Sequence, residues 1–205
     1  MRFLERFNSK KKYIENVDKV DIVLFGDSWL DYWTDEKFIE NDRTFFDDIV
    51  KFNLDAINVG VGGTEFSDWL PLLDEFVIKL NPNKVFICLG SNDTYNGKSV
   101  EEVFIDFKKT IQALKNKLPF VKIFMTPILQ CKATKKVRDK EISFNKMIKE
   151  YAKITQNLTV LDLEHLLFKD GQLVDNIDEY FIFDNMHLSR KGYDLWGYAV
   201  LDALK

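Results

Sequence analysis

A hydroxyl, a glycine, an amide, a carboxylate and an imidazole lie along this 205-residue chain in an order that suits acyl transfer. That chemistry needs a nucleophile, a base, a group that orients the base, and donors for the oxyanion. In "VDIVLFGDSWLDYW", Ser28 follows an apolar run and Gly26-Asp27. A serine that ends a strand and opens a helix has an exposed hydroxyl, and its own N–H is free to donate. In "FDNMHLS", Asp184 and His187 are separated by two residues. One turn brings the carboxylate onto one imidazole nitrogen and leaves the other for Ser28. Gly60 ends the second apolar run, where the lack of a side chain lets its N–H face a reacting carbonyl. Asn92, after the third run, offers a neutral amide NH2. With the Ser28 N–H, Gly60 and Asn92 make a three-donor oxyanion hole.

Taken singly, each residue has an ordinary role. Ser28 reads as a helix cap, Gly60 as a turn glycine, Asn92-Asp93 as turn chemistry, and Asp184 with His187 as a cap for the last helix. Other readings fail on spacing. "GVGGTE" places Glu65 where a dinucleotide fingerprint needs glycine, and a carboxylate there repels a pyrophosphate. "GSNDTYNGKS" puts six residues between Gly90 and Gly97 where a P-loop needs four. The only two histidines, His165 and His187, have no His or Cys partner at helical ligand spacing, so no metal site is expected. Leu30 stands where the serine-hydrolase elbow G-x-S-x-G needs its second glycine.

At this point the chain resembles the SGNH hydrolases, also called the GDSL lipases and esterases. "FGDSWL" matches the first block with Ser28, "NVGVGG" the second with Gly60, "LGSNDT" the third with Asn92, and "DNMHLSRKGY" the last with Asp184 and His187. Four blocks in order, each after an apolar run, are a specific match, extending from about Val20 to the end. Trp29 departs from the leucine of the family's nickname, which leaves the chemistry intact and alters the wall near the acyl site. The resemblance implies a flavodoxin-like three-layer α/β/α sandwich with strand order 2-1-3-4-5. It also implies ester hydrolysis through Ser28, His187 and Asp184, with no metal or organic cofactor.

The elements that must hold these residues are legible independently. Short apolar runs at 20–25, 55–59, 84–89, 121–126 and 158–163 alternate with segments of helical spacing, the pattern of an α/β fold around a parallel sheet. Ligands in such sheets bind beyond the carboxyl ends of the strands, where all five candidate residues fall. Phe66, Trp69, Leu70, Leu73, Phe76, Val77 and Leu80 form one stripe and predict a helix over 66–80. A second helix is expected over 99–118, with Ser99 as N-cap and Glu102 completing a capping box. A third spans 136–154, with Ile142, Phe144, Met147, Ile148 and Tyr151 inward. The last spans 189–204, burying Trp196, Val200 and Leu204. The segment 1–16 reads as a helix beside the sheet, with Phe3, Leu4 and Phe7 on one face.

Length, 46% hydrophobic and 30% charged residues fit one water-soluble domain over 1–205. A net charge of −4 with dispersed Lys and Arg offers no nucleic-acid footprint. The N-terminus lacks the apolar region of a secretory signal and no stretch is long enough to cross a bilayer, so a cytoplasmic protein is expected. Cys88 and Cys131 read as small core residues. The expected partner is a small-molecule ester carrying a short acyl group, such as acetyl on a sugar or glycoconjugate. Trp29, Trp33 and Tyr95 are candidates to line its site. The alternatives are a lysophospholipase or thioesterase, or a non-catalytic binding module on the same fold. Nothing in the sequence sets the oligomeric state.

Overall fold

Each central apolar run sends alternate side chains to opposite faces, as a strand must. The computed structural model describes residues 3–35 and 43–205. In it β1 (Ile22–Gly26), β2 (Ala56–Asn58), β3 (Lys84–Cys88), β4 (Lys122–Met125) and β5 (Leu158–Val160) form an all-parallel sheet. The order is β2-β1-β3-β4-β5. An antiparallel pair, β6 (Phe168–Lys169) and β7 (Gln172–Leu173), lies in the long loop after β5.

The helices are α1 (Leu4–Tyr13), α2 (Ser28–Asp31), α3 (Phe45–Phe52), α4 (Phe66–Trp69) and α5 (Leu73–Phe76). They continue with α6 (Ser91–Tyr95), α7 (Val100–Lys117), α8 (Arg138–Lys153), α9 (Arg190–Gly192) and α10 (Tyr198–Ala203). Val23, Phe25, Val85, Ile87, Ile123 and Met125 pack on one face of the sheet with residues of α1, α4, α5, α7 and α8. Ile22, Leu24, Phe86 and Cys88 pack on the other with residues of α2, α3 and α10. The result is a three-layer α/β/α sandwich in the expected strand order, with the central strand β1 buried along its whole length.

The helix over 99–118 forms as expected: Ser99 accepts from the Glu102 N–H while the Glu102 carboxylate accepts from the Ser99 N–H. The single helix expected over 66–80 does not form. Pro71 has no N–H to give the preceding turn and its ring crowds the carbonyl four residues back. The segment breaks into α4, a tight turn at Leu70–Leu72, α5 and another turn at Ile78–Leu80. Six of the seven residues of its apolar stripe are still buried, and Leu70 is half-buried.

Two inward-facing assignments and one site assignment change. On α1, Phe7 is buried between Trp69 and Phe76 while Leu4 is half exposed, because Phe3 and Phe7, four residues apart, share the inner face. Positions 1 and 2 of the N-terminal segment lie outside the described residues. On α8 the inner face is Glu141, Phe144, Asn145 and Ile148, and Ile142 is exposed. Asn145 replaces apolar packing with a clamp on the loop after β4: its amide oxygen accepts from the Ile128 N–H and its NH2 donates to the Ile128 carbonyl, both at 2.8 Å. Trp33 belongs to the core rather than to a ligand site. It is fully buried, stacks on Tyr193 and donates to Asp48 Oδ2 at 2.9 Å.

Candidate active site

Ser28 stands at the first position of α2 because Asp27 caps that helix: Asp27 Oδ1 accepts from the Trp29 N–H at 3.1 Å. The Ser28 N–H itself has no partner among the described residues. Asp27 is buried, and burial pushes its carboxyl up to about 7 against the opposing cap bond from Trp29.

The loop before α9 brings His187 and Asp184 to Ser28. His187 Nε2 accepts from the Ser28 hydroxyl at 2.8 Å, and Nδ1 lies 2.5 Å from Asp184 Oδ2. The other Asp184 oxygen accepts the Met186 and His187 amides, each at 2.9 Å. Burial raises the Asp184 carboxyl, but the His187 side chain and these two amides outweigh it and hold the group below the ordinary carboxylate value. The carboxylate is thus fixed from both sides, and it fixes the imidazole. Tyr32 packs against the His187 ring with centroids 4.3 Å apart. The sequence reading missed Tyr32, although it is four residues beyond Ser28 and so on the same helical face.

Gly60 does not join this group. Its N–H donates to Asn58 Oδ1 at 3.0 Å, and a Cβ on Gly60 would come within 2.5 Å of Leu30 Cβ. It is a glycine of close approach between the end of β2 and α2. Asn58, also overlooked, ties the two together by donating to the Leu30 carbonyl at 2.9 Å. The backbone beside Ser28 is instead that of Gly62 to Thr64. The point where a Gly62 Cβ would stand is 3.5 Å from Ser28 Cβ, and Asn92 Nδ2 donates to the Thr64 carbonyl at 3.0 Å. Gly63 lies between these two contacts, and its N–H has no partner among the described residues. Asp93 holds the neighbouring loop, accepting from Lys98 at 2.8 Å and from the Phe66 N–H at 3.3 Å.

A cavity of about 30 Å³ opens next to these groups, lined by Asp27, Trp29, Cys88, Ser91, Ile128 and Met186 among others. Its walls flank Ser28, Asn92 and His187 in sequence. Trp29 lines it and also anchors the histidine loop through Nε1 to the Met186 carbonyl at 3.1 Å. Tyr95 is not brought to it. That ring is 38% exposed at the end of α6, and the Lys136 ammonium covers one face at 3.8 Å from the centroid. Cys88 and Cys131 are buried free thiols in the cavity wall. Among the described residues no helix is long and apolar enough to cross a membrane.

A family model for GDSL-like lipases and acylhydrolases matches residues 24–195. An N-acylneuraminate cytidylyltransferase of Streptococcus agalactiae is 29% identical over 140 residues, covering 67% of this chain and 32% of that protein. The chain thus spans about a third of the length of the curated relatives it matches. Among solved structures, a GDSL-like lipase from Bacteroides thetaiotaomicron is 20% identical with a TM-score of 0.73, over 98% of this chain and 96% of that one. An acetyl xylan esterase is 16% identical with a TM-score of 0.72, over 91% of this chain and all of that one. With a family match over most of its length and the same α/β/α sandwich in its neighbours, the chain belongs to the GDSL-like lipase/acylhydrolase family of ester-hydrolysing enzymes.

Proposed function

We propose that this chain hydrolyses a short-chain carboxylic ester, an acetyl group on a carbohydrate or glycoconjugate, through an acyl-enzyme on Ser28. The observation that carries this reading is the continuous chain of hydrogen bonds from Asp184 through His187 to the Ser28 hydroxyl. Ser28 Oγ attacks the ester carbonyl carbon as His187 Nε2 takes its proton, and the Asp184 carboxylate stabilises the imidazolium that forms. The negative charge on the former carbonyl oxygen is received by the N–H groups of Ser28 and Gly63 and by the Asn92 amide, with Gly63 in the place first expected for Gly60. His187 then returns its proton to the departing alcohol oxygen. Water, deprotonated by the same imidazole, attacks the acyl carbon and frees Ser28.

Two considerations support a small acyl group on a sugar. The small cavity lined by Asp27 and Trp29, the neighbours of Ser28, has apolar walls in Leu89, Ile128, Leu129 and Met186, which suit a short acyl group. The relatives include an acetyl xylan esterase and a protein named for an N-acylated sugar acid.

The test is a fluorophosphonate probe combined with 4-nitrophenyl acetate, butyrate and octanoate. The expected outcome is labelling at Ser28 and a kcat/KM that falls with each lengthening of the acyl chain, both lost in Ser28→Ala. Wild-type protein that neither labels nor turns over any of the three esters is a binding module. Octanoate as the best substrate would overturn the short-acyl assignment alone.

A further inference from the structure

The family match begins at residue 24, so α1 lies outside it, yet α1 reaches the candidate active site. Arg6 Nη1 donates to the Gly62 carbonyl at 2.9 Å. The point where a Gly62 Cβ would stand is 2.8 Å from Arg6 Nη1 and 3.5 Å from Ser28 Cβ. Asp31 Oδ2 is 3.2 Å from the same point, so the guanidinium, that carboxylate and the Ser28 Cβ converge on the space that the missing side chain leaves. Phe3, one turn earlier, covers Gly63 in the same way, with its ring 3.3 Å from the equivalent point.

The charges around Arg6 decide what it is for. Asp31, Asp35 and Asp184 act electrostatically on the Tyr32 hydroxyl, and so does Arg6, while the Tyr32 ring packs on His187. Asp31 is already matched: Lys10 reaches its Oδ1 at 3.0 Å and the Gly62 N–H its Oδ2 at 2.8 Å. Asp184 is committed to His187. Arg6, four residues before Lys10 on the same face of α1, makes no ion pair among the described residues. It is exposed and has spent one of its five donors on Gly62. Arg6 and Lys10 thus bring two positive charges to the one Asp31 carboxylate, which leaves a positive charge in excess beside Ser28.

Direction follows from the sheet. The small cavity is walled by residues that follow β1, β3 and β4, whereas Gly62 and Arg6 lie beyond β2, on the opposite side of Ser28. With the acyl group in the cavity, the group beside Arg6 is the departing alcohol. We propose that Arg6 is a specificity-determining residue that pairs with a carboxylate on the alcohol half of the ester, an inference that rests on the esterase reading above. A guanidinium receives a carboxylate through two parallel N–H bonds. The singly charged anion suits one unmatched cation better than a phosphate dianion, which the neighbouring aspartates would repel.

The test compares 4-acetoxybenzoate with its neutral methyl ester, using full-length wild-type protein and the variants Arg6→Ala, Arg6→Lys and Arg6→Glu. The quantity read is the anionic-to-neutral ratio of kcat/KM, in which any loosening of the Gly62 segment common to both substrates cancels. Arg6→Ala is expected to lower that ratio about fivefold or more, mainly through KM of the anionic ester, as loss of a charge-assisted pair should. Arg6→Lys should keep part of the preference, and Arg6→Glu should lower the ratio further still. An Arg6→Ala ratio within twofold of wild type, in protein that labels at Ser28 and turns over both esters, overturns the role of Arg6 alone. Wild-type protein that neither labels nor hydrolyses either ester overturns the esterase reading, and this inference with it.

Discussion

His187 and Arg190 are three residues apart, each is paired with an aspartate, and the two pairs meet opposite fates. Arg190 is 5% exposed and spends its donors on Asp48 Oδ2, the Arg43 carbonyl and Asp194. Asp48 is fully buried and also accepts from Trp33. That pair links α3 to α9 inside the core, where a ligand does not reach it. In the other pair, Asp184 consumes one nitrogen of His187, and the second nitrogen points at a hydroxyl that solvent can reach. The difference lies in the residue, since a guanidinium keeps its proton while an imidazole exchanges one, and in what the surroundings leave open. A buried pair with a permanent charge holds elements together, and an imidazole with one nitrogen open to a hydroxyl can move a proton.

Substitutions can break this contrast, beginning with the largest effect. Asp184→Asn should lower kcat on 4-nitrophenyl acetate by about 10⁴, because an amide no longer selects the imidazole tautomer that accepts from Ser28. The melting temperature should move little, since this carboxylate is partly exposed. Arg190→Met should do the reverse. It strands Asp48 in the core at a cost of about 3–5 kcal/mol in urea unfolding, while the molecules that remain folded keep their turnover. If Arg190→Met abolished turnover without loss of stability, the division between the two pairs would be wrong.

Asn92→Ala should lower kcat by roughly a hundredfold at little change in KM, the signature of a donor that acts on the developing oxyanion. An equal loss in kcat/KM carried by KM alone would make Asn92 a loop anchor through Thr64 instead. The smallest effect concerns Asp27, whose carboxyl is raised to about 7 by burial. A group with a raised folded value binds its proton more tightly when folded, so wild-type stability drops as pH rises from about 4 to about 7 and then levels off. Asp27→Asn keeps an acceptor for the Trp29 N–H and removes that drop. Its advantage over wild type in urea unfolding should grow across this window and reach on the order of 1 kcal/mol by pH 8, after the loss of a charged cap. A constant difference from pH 4 to 8 would sink the assignment.

Much of this was legible before any coordinates. The apolar runs of β1, β3 and β4 alternate faces so regularly that sheet and layers follow from them, and Ser99 with Glu102 announces the start of α7. Asp184 and His187 are close enough in sequence for one turn to join them. The misses share a cause. Gly60 was chosen for having no side chain, but whether an N–H is free depends on its neighbours, and here Asn58 takes it. Trp33 lies next to the candidate site in sequence, yet the direction of its side chain is decided by packing on Tyr193 and Asp48. Tyr95 likewise follows Asn92 by three residues and turns to Lys136.

Residue type and spacing by themselves determined the class of fold, the order of the strands' contributions and the chemical inventory: one hydroxyl, one imidazole, one carboxylate and an amide at strand ends. Those properties are local, because periodicity and chain separation are carried by neighbours in sequence. Only the tertiary structure decided that the Gly60 N–H is spent on Asn58, and that α1, from outside the matched family region, brings Arg6 to the Gly62 carbonyl. Such outcomes depend on which donors and charges are already satisfied by residues far away in the chain, and that accounting closes only when the chain has folded.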